Sequence, residues 1–251
     1  MKKLVSSLLC VLSFAAPGFA VADSAAPVYE LRVYYTHPGK MPDLLTRFRD
    51  HTCKLFEKHG MVNIGYWLPV ETKDQDKLYY VLQHASRDAA KASWSAFGSD
   101  PDWKKVRDAS EAAGKIVSKV ESTFLAKTDF SPAHFKVGPG AHTYELRTYT
   151  TLPGKLVDID ARFRNHTMKL FEKHGMTNLP YFHPTDADKG ADNLLIYFLA
   201  HDSVDAAKKS FDGFRNDPEW IKVRDASEAA GKINSKVESI YLTPTDFSSL
   251  K

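Results

Sequence analysis

Residues 144–176 read YELRTYTTLPGKLVDIDARFRNHTMKLFEKHGM, and residues 29–61 read YELRVYYTHPGKMPDLLTRFRDHTCKLFEKHGM, so the chain contains this stretch twice, 115 positions apart. A second run, VRDASEAAGKI, occupies residues 106–116 and recurs without change at residues 223–233, with an offset of 117. This period is longer than that of solenoid repeats, so each copy is predicted to be a whole domain. The chain is therefore expected to be one fold written twice.

The hydrophobic pattern of the first repeat predicts the order of its elements. Alternating side chains over residues 28–35 are typical of a strand, and the apolar stripe after Pro38 and Gly39 is typical of an amphipathic helix that ends at Gly60. The remaining pattern predicts strands at residues 61–68, 78–84 and 117–125, and helices at residues 86–97 and 100–114. The second copy repeats these elements from residue 143 to residue 242.

Three motifs occur in the same order in both copies: YELRxYxxxPGK, RFRxHTxKLFEKHGM and FxxDPxW, the last at residues 97–103 and 214–220. Taken together they resemble the NIPSNAP family over residues 28–125 and 143–242. The resemblance implies an α+β fold of two tandem ferredoxin-like domains, each ordered βαββααβ, of the dimeric α/β-barrel type. It implies little about chemistry, because the family's activity is poorly defined.

A four-stranded sheet with helices on one face leaves its other face bare, and two such sheets in one chain can bury these faces against each other. We therefore expect an intramolecular barrel, which makes the chain a pseudo-dimer and leaves further oligomerisation open. The predicted domains are residues 27–126 and 142–247. Residues 127–141, with two prolines and two glycines, are predicted to link them.

The first 22 residues have the composition of a secretory signal peptide. A basic start is followed by an apolar run over residues 4–16, and the small residues Ala20 and Ala22 precede the predicted cleavage site. The apolar run is too short to span a membrane, which takes about 20 residues. The mature protein is therefore predicted to be secreted or periplasmic, without membrane insertion.

The mature composition excludes several classes of protein. Removal of residues 1–22 takes away two lysines and no acid, which leaves 32 basic against 31 acidic side chains. This balance argues against nucleic acid as a partner. Cys53 is the one cysteine left, so no disulfide can form within the chain, and the helical period places its thiol on the outer face. The sequence has no zinc, phosphate-loop or nucleophile-elbow motif, and we expect neither a metal nor a cofactor.

Four histidines are candidate catalytic residues. His59 and His174 fall near the centre of the apolar stripe of the first helix in their repeats, and His84 and His201 end the third strand. A ferredoxin-like topology could bring each pair together under the helix. The alternative interpretation is a core histidine that binds a backbone carbonyl.

The polar face of the first strand supplies the candidate ligand-binding residues, Arg32 and Tyr34, with Arg147 and Tyr149 in the second copy. They alternate with the predicted core face, so they are expected to point into the barrel interior together with Glu30. A guanidinium group suits an anionic ligand, but Glu–Arg pairs that lock the two sheets together are the alternative.

The sequence favours a protein that binds a small apolar or aromatic molecule in clefts between helices and sheet. One alternative is a cofactor-independent oxidoreductase, monooxygenase or isomerase that uses the histidines. Another is a protein-interaction scaffold that uses the outer helical faces. A tightly filled protein interior would favour the interaction scaffold over both the ligand-binding protein and the enzyme.

Overall fold

The computed structural model describes residues 26–71, 73 and 76–251; the predicted signal peptide lies outside these residues. The strands are β1 (Val28–Thr36), β2 (Val62–Pro69), β3 (Lys77–His84), β4 (Val117–Lys127), β5 (Thr143–Thr151), β6 (Thr177–Pro184), β7 (Leu194–His201) and β8 (Asn234–Pro244). The helices are α1 (Met41–Arg47), α2 (Cys53–Lys58), α3 (Arg87–Ser99), α4 (Pro101–Ser110), α5 (Leu156–Arg162), α6 (Met168–Lys173), α7 (Val204–Arg215) and α8 (Pro218–Ser227). A π turn joins α1 to α2 (Phe48–Thr52) and α5 to α6 (Phe163–Thr167), and Ala187–Lys189 forms a short 3₁₀ helix.

Side-chain caps start the helices where the sequence predicts them. Ser86 accepts a hydrogen bond from the backbone N–H of Ala89 at 3.0 Å and begins α3. Asp100 does the same for Asp102 at 2.8 Å and begins α4, where a proline occupies the first turn. Capping of this kind contributes about 0.5–2 kcal/mol to a helix.

The eight strands form one closed barrel in the order β1-β3-β2-β8-β5-β7-β6-β4. Each repeat supplies the antiparallel order of a ferredoxin-like sheet, in which β1 lies between β3 and β4, and β5 lies between β7 and β8. The pairs β2–β8 and β4–β6 join the two sheets. The predicted intramolecular barrel is confirmed.

Apolar side chains from both repeats fill the barrel interior. Trp67 and Phe182, which occupy matching strand positions, are both fully buried there. The Trp67 ring lies 5.5 Å from those of Tyr144 and Phe198, and Phe135 of the segment between the domains packs against the same cluster. Two further cores lie between each sheet and its own helices.

The segments that follow β4 and β8 cross to the other repeat. We call residues 128–131 and 245–248 the exchanged arms. In the arm after β8, Asp246 binds Arg49 at 2.6 Å, and the Ser248 hydroxyl accepts a hydrogen bond from the backbone N–H of Tyr66 at 3.0 Å. The arm after β4 makes the equivalent bonds to the second repeat. Each repeat is thus stabilised by a piece of chain that follows the last strand of the other.

The first helix of each repeat is not a continuous α-helix, and this changes the predicted position of Cys53. A π turn contains one extra residue, which rotates the side chains that follow it relative to an α-helical register. Cys53 is half-buried and packs against the first repeat's core. The prediction of an exposed thiol on the outer face is therefore wrong.

The alternation along β1 was predicted correctly, but its direction is the reverse of the prediction. Tyr29 and Val33 face the barrel interior, whereas Arg32 and Tyr34 lie against the helices of their own repeat. Both faces of β1 are covered, so alternation separates the faces without showing which one is inside. In the described part of the chain, no helix is long and apolar enough to cross a membrane.

Candidate functional site

A buried carboxylate organises the polar residues on the helix side of the first sheet. Glu30 on β1 is 1% exposed and accepts four hydrogen bonds. Oε1 accepts from Arg32 Nη1 at 2.5 Å and from the Ser122 hydroxyl at 2.6 Å, while Oε2 accepts from Trp94 Nε1 at 2.8 Å and lies 2.9 Å from His84 Nε2. Four partners compensate for the burial of the charge. We call this group the first Glu–Arg–His cluster.

Ionisation of Glu30 reflects a balance between burial and these partners. Burial opposes ionisation, but the hydrogen bond from His84, the charge of Arg32 and the bonds from Ser122 and Trp94 outweigh it and lower the pKa of Glu30 to about 2. The carboxylate is therefore negatively charged at neutral pH.

His84 presents a nitrogen without a partner. Its imidazole is 1% exposed, and among the described residues its Nδ1 atom finds no hydrogen-bond partner. Because Nε2 faces an ionised carboxylate, Nε2 carries a proton, and in the neutral ring Nδ1 holds the lone pair. The arrangement resembles the way a carboxylate orients a catalytic imidazole.

Arg32 forms the accessible edge of the cluster, with 14% of its side chain exposed. Its Nε donates to the Tyr80 hydroxyl at 2.9 Å, and the guanidinium lies 4.2 Å from the centroid of the Trp94 ring and 5.5 Å from that of Tyr34. Cation–π contacts of this kind contribute about 0.5–2 kcal/mol each. The guanidinium is thus held in one orientation between β1, β3 and α3.

An exposed apolar side chain lies beside Arg32 and Tyr34. Val120 on β4 is the direct cross-strand partner of Tyr34, so both side chains stand on the helix side of the sheet. Val120 is 43% exposed and lies in a stretch of β4, residues 118–121, whose residues are all exposed. We call the surface formed by Arg32, Tyr34 and Val120 the first cleft.

The second repeat contains the same arrangement at nearly the same distances. Its members are Glu145, Arg147, Tyr149, Tyr197, His201, Ser239 and Val237. Val237 is again 43% exposed, and His201 Nδ1 again has no partner among the described residues. We call Arg147, Tyr149 and Val237 the second cleft.

One residue distinguishes the two clusters. The position of Trp94 is occupied by Phe211 in the second repeat, whose ring lies 4.4 Å from the Arg147 guanidinium but has no N–H to donate. Glu145 therefore accepts from Arg147, Ser239 and His201 alone among the described residues. The pKa of Glu145 is lowered, because these three partners outweigh the opposing effect of burial.

The predicted meeting of His59 with His84 does not occur. His59 caps the end of α2, and its Nε2 lies 2.6 Å from Asp100 Oδ2, the residue that begins α4. His174 makes the equivalent contact with Asp217 at 2.8 Å. Each of these histidines ties the end of the first helix to the start of the last, whereas His84 binds Glu30. The alternative of a backbone-bound core histidine is also wrong, because the partner is a carboxylate.

The structure joins two sets of candidates that the sequence kept apart. His84 was expected under the helices and Arg32 and Tyr34 in the barrel interior, yet all three lie together on the helix side. Sequence reasoning missed Tyr80, Trp94 and Ser122 as members of the site. Ser122 had a detectable signal, because SKVES at residues 118–122 recurs unchanged at residues 235–239. Among the described residues, no three His, Cys, Asp or Glu side chains are placed to hold a metal ion.

Comparisons with solved structures agree with this architecture. A monooxygenase-like protein of Fusobacterium nucleatum shares 11% identity, with 88% of this chain and 93% of that chain covered and a TM-score of 0.56. A monooxygenase-like protein of Lactobacillus acidophilus shares 8% identity, with 88% and 94% covered and a TM-score of 0.54. At these identities the similarity shows the fold alone. A search of curated proteins found no match.

The closed barrel, with helices outside both sheets, defines a dimeric α/β-barrel protein made from one chain. The NIPSNAP family model matches residues 29–132 and 144–249. The chain therefore belongs to the NIPSNAP family, and it carries two NIPSNAP domains.

Proposed function

We propose that this protein binds a small apolar or aromatic molecule in each cleft, in contact with Arg32, Tyr34 and Val120 in the first repeat. The exposure of Val120 beside a buried cluster of charges carries this proposal. The same exposure recurs at the matching position of the second repeat, Val237.

The chemistry of the cleft suits such a ligand. Ligand sites are mostly apolar with a few fixed polar groups, and here Val120 and Tyr34 supply apolar contact while the exposed edge of Arg32 supplies hydrogen bonds. The other members of the cluster hold Arg32 in place, so little conformational entropy is lost on binding. The barrel interior is filled, which by itself favours the scaffold, so the ligand is proposed to bind outside the barrel, on the helix side of each sheet.

Native mass spectrometry of the full chain purified from its host tests the proposal. We expect a bound small molecule in up to two copies. Val120→Glu and Val237→Glu place a charge on each apolar surface at exposed positions, so each variant should lose one copy and the double variant both.

A matched control is Val62→Glu, which alters a valine of β2 that is 51% exposed outside the clefts. This variant should retain both copies. Retention of the ligand by the double variant, or release by Val62→Glu, would contradict the proposal.

A second candidate function is acid–base catalysis without a cofactor, and the unpartnered Nδ1 atoms of His84 and His201 favour it. In His84→Gln the amide N–H can keep the bond to Glu30, but the proton-accepting nitrogen is lost. Incubation of host extract with wild type and with the variant that carries both His84→Gln and His201→Gln, followed by mass spectrometry, tests this function. Consumption of a metabolite by wild type alone supports it, and identical profiles contradict it.

We also propose that the protein is exported, on the basis of the signal-peptide pattern of residues 1–22. The mass of the protein recovered from the exported fraction should correspond to a chain that begins at Asp23. Recovery of the full-length chain from the cytoplasm alone would contradict export.

A further inference from the structure

Each repeat has a concave surface that lies away from the clefts. In the first repeat it runs between α1 with its π turn and α4, has a volume of about 690 Å³, and is walled by Thr46, Val106 and Ala109. We call it the first groove. The second groove, of about 730 Å³, occupies the same place between α5 and α8. These volumes lie in the range of small-molecule sites.

A buried guanidinium with an unused edge lies in each groove. Arg47 is 4% exposed and lines the first groove, where its Nη1 donates to Ser110 at 3.3 Å and to Glu111 at 3.0 Å. Its Nε has no acceptor among the described residues. Arg162 in the second groove repeats this arrangement, including the Nε without an acceptor.

The unused edge has the geometry of a carboxylate site. Nε and the adjacent amino group of arginine form a fork that matches two carboxylate oxygens. A buried donor without an acceptor costs about 1–3 kcal/mol, so an arriving carboxylate would remove an existing penalty. The Trp103 ring packs against the Arg47 guanidinium group, with its centroid 5.3 Å from the guanidinium carbon.

Part of each groove wall is identical in the two repeats. The run at residues 106–116 is identical to that at residues 223–233, although α4 and α8 contain no buried residue. Along β3 and β7, by contrast, the side chains that face the barrel interior differ, as Val81 and Phe198 do. Burial of side chains therefore does not explain the part of this run that lies in α4 and α8, and a common surface role would.

The charges around the groove are compatible with an anion. Lys105 and His51 stand on its walls. The two acidic residues that line the groove already form ion pairs: Asp43 binds Lys40 and Asp102 binds Lys58, both at 3.0 Å.

From these observations we infer that each groove binds a small carboxylic acid with an apolar body. The carboxylate meets Arg47 (Arg162 in the second repeat), and the body lies along the valine and alanine of α4 or α8. The grooves are separate from the clefts, so this inference does not depend on the proposed function.

Isothermal titration calorimetry of the mature chain tests the inference with benzoate and octanoate, each compared with its neutral amide, benzamide and octanamide. We expect two sites per chain and carboxylate affinities at least about tenfold above those of the amides, since ionised partners form the stronger hydrogen bonds. Ala109→Trp together with Ala226→Trp fills both grooves from exposed positions and should abolish binding.

Two controls locate the site. Lys104→Trp changes an exposed residue of α4 outside the groove and should leave binding unchanged. Val120→Glu, which disrupts the first cleft, should also leave binding in the grooves unchanged. Loss of ligand binding in the clefts can therefore be distinguished from loss of binding in the grooves. Equal affinities for acid and amide, binding by the filled variant, or no binding of all four probes would each overturn the inference.

Discussion

Trp94 Nε1 donates a hydrogen bond to Glu30 Oε2 over 2.8 Å, and this bond has no counterpart in the second repeat, where Phe211 takes the place of the indole. The two clusters are otherwise alike. A single substitution in the first repeat can therefore reproduce the chemistry of the second.

Trp94→Phe should lower the free energy of unfolding by roughly 1.5–3 kcal/mol, the contribution of a hydrogen bond to a charged group. It should also raise the pKa of Glu30 from about 2, because one of the bonds that favours the carboxylate is lost. Chemical denaturation and carbon NMR of the Glu30 carboxyl group measure the two effects. Trp103→Phe is the control, and an equal rise in the pKa of Glu30 in this variant would contradict the assignment.

Acid should remove the stabilisation that Glu30 provides. The pKa of Glu30 falls from 4.5 to about 2 on folding, so its contribution is complete above pH 4.5 and is lost as the pH falls towards 2. A shift of this size corresponds to about 3 kcal/mol. Unfolding free energies measured from pH 7 to pH 2 should therefore fall less steeply in Glu30→Gln than in wild type. Parallel curves for the two proteins would show that Glu30 does not titrate in this way.

Cys53 should react slowly in the native protein. Burial raises the pKa of its thiol to about 11, so little thiolate is present near neutral pH. Native protein should resist iodoacetamide at pH 8, while denatured protein should be modified rapidly. Lys54→Cys in a Cys53→Ser background places a thiol on the exposed side of the same helix and should react quickly. Equal rates for the two native thiols would contradict the position of Cys53.

Because the arm after β8 packs on the first repeat, a substitution in that arm should affect the first repeat. Phe247 packs against Phe48 and Tyr66, so Phe247→Ala should weaken the first repeat by roughly 1–3 kcal/mol. Hydrogen exchange should become faster at backbone amides of β2, and much less so at those of β6. Phe130→Ala in the other arm is the matched control and should give the opposite pattern. Uniform acceleration across both repeats in each variant would argue against local arm docking.

Residues 27–131 expressed alone should form a dimer. In the full chain β2 pairs with β8 and β4 pairs with β6, so the isolated repeat has two unpaired strand edges and an uncovered apolar sheet face. A second copy can supply the missing partners, as measured by analytical ultracentrifugation. A stable, soluble monomer would show that the two sheets do not depend on each other.

Much of the site could be located from the sequence, but its assembly could not. Arg32, Tyr34 and His84 were identified by repetition and by their position on predicted strands. Trp94 could not be assigned to the site from the sequence, because its bond to Glu30 joins positions 64 residues apart and leaves no local pattern. His59 was placed near His84 because the third strand of a ferredoxin-like sheet ends near the end of the first helix, but the two histidines contact different carboxylates, Asp100 and Glu30.

The sequence by itself determined the two repeats, the order of their elements and the barrel they form, because turns, caps and hydrophobic periods are local and each was present twice. The tertiary structure decided which face of β1 carries Glu30 and Arg32. Both faces of that strand are buried, so burial alone does not choose between them. The hydrogen-bond partners of Glu30 determine its face. His84, Ser122 and Trp94 lie on the helix side, whereas apolar rings fill the barrel. A buried charge is stable only where its hydrogen-bond partners are.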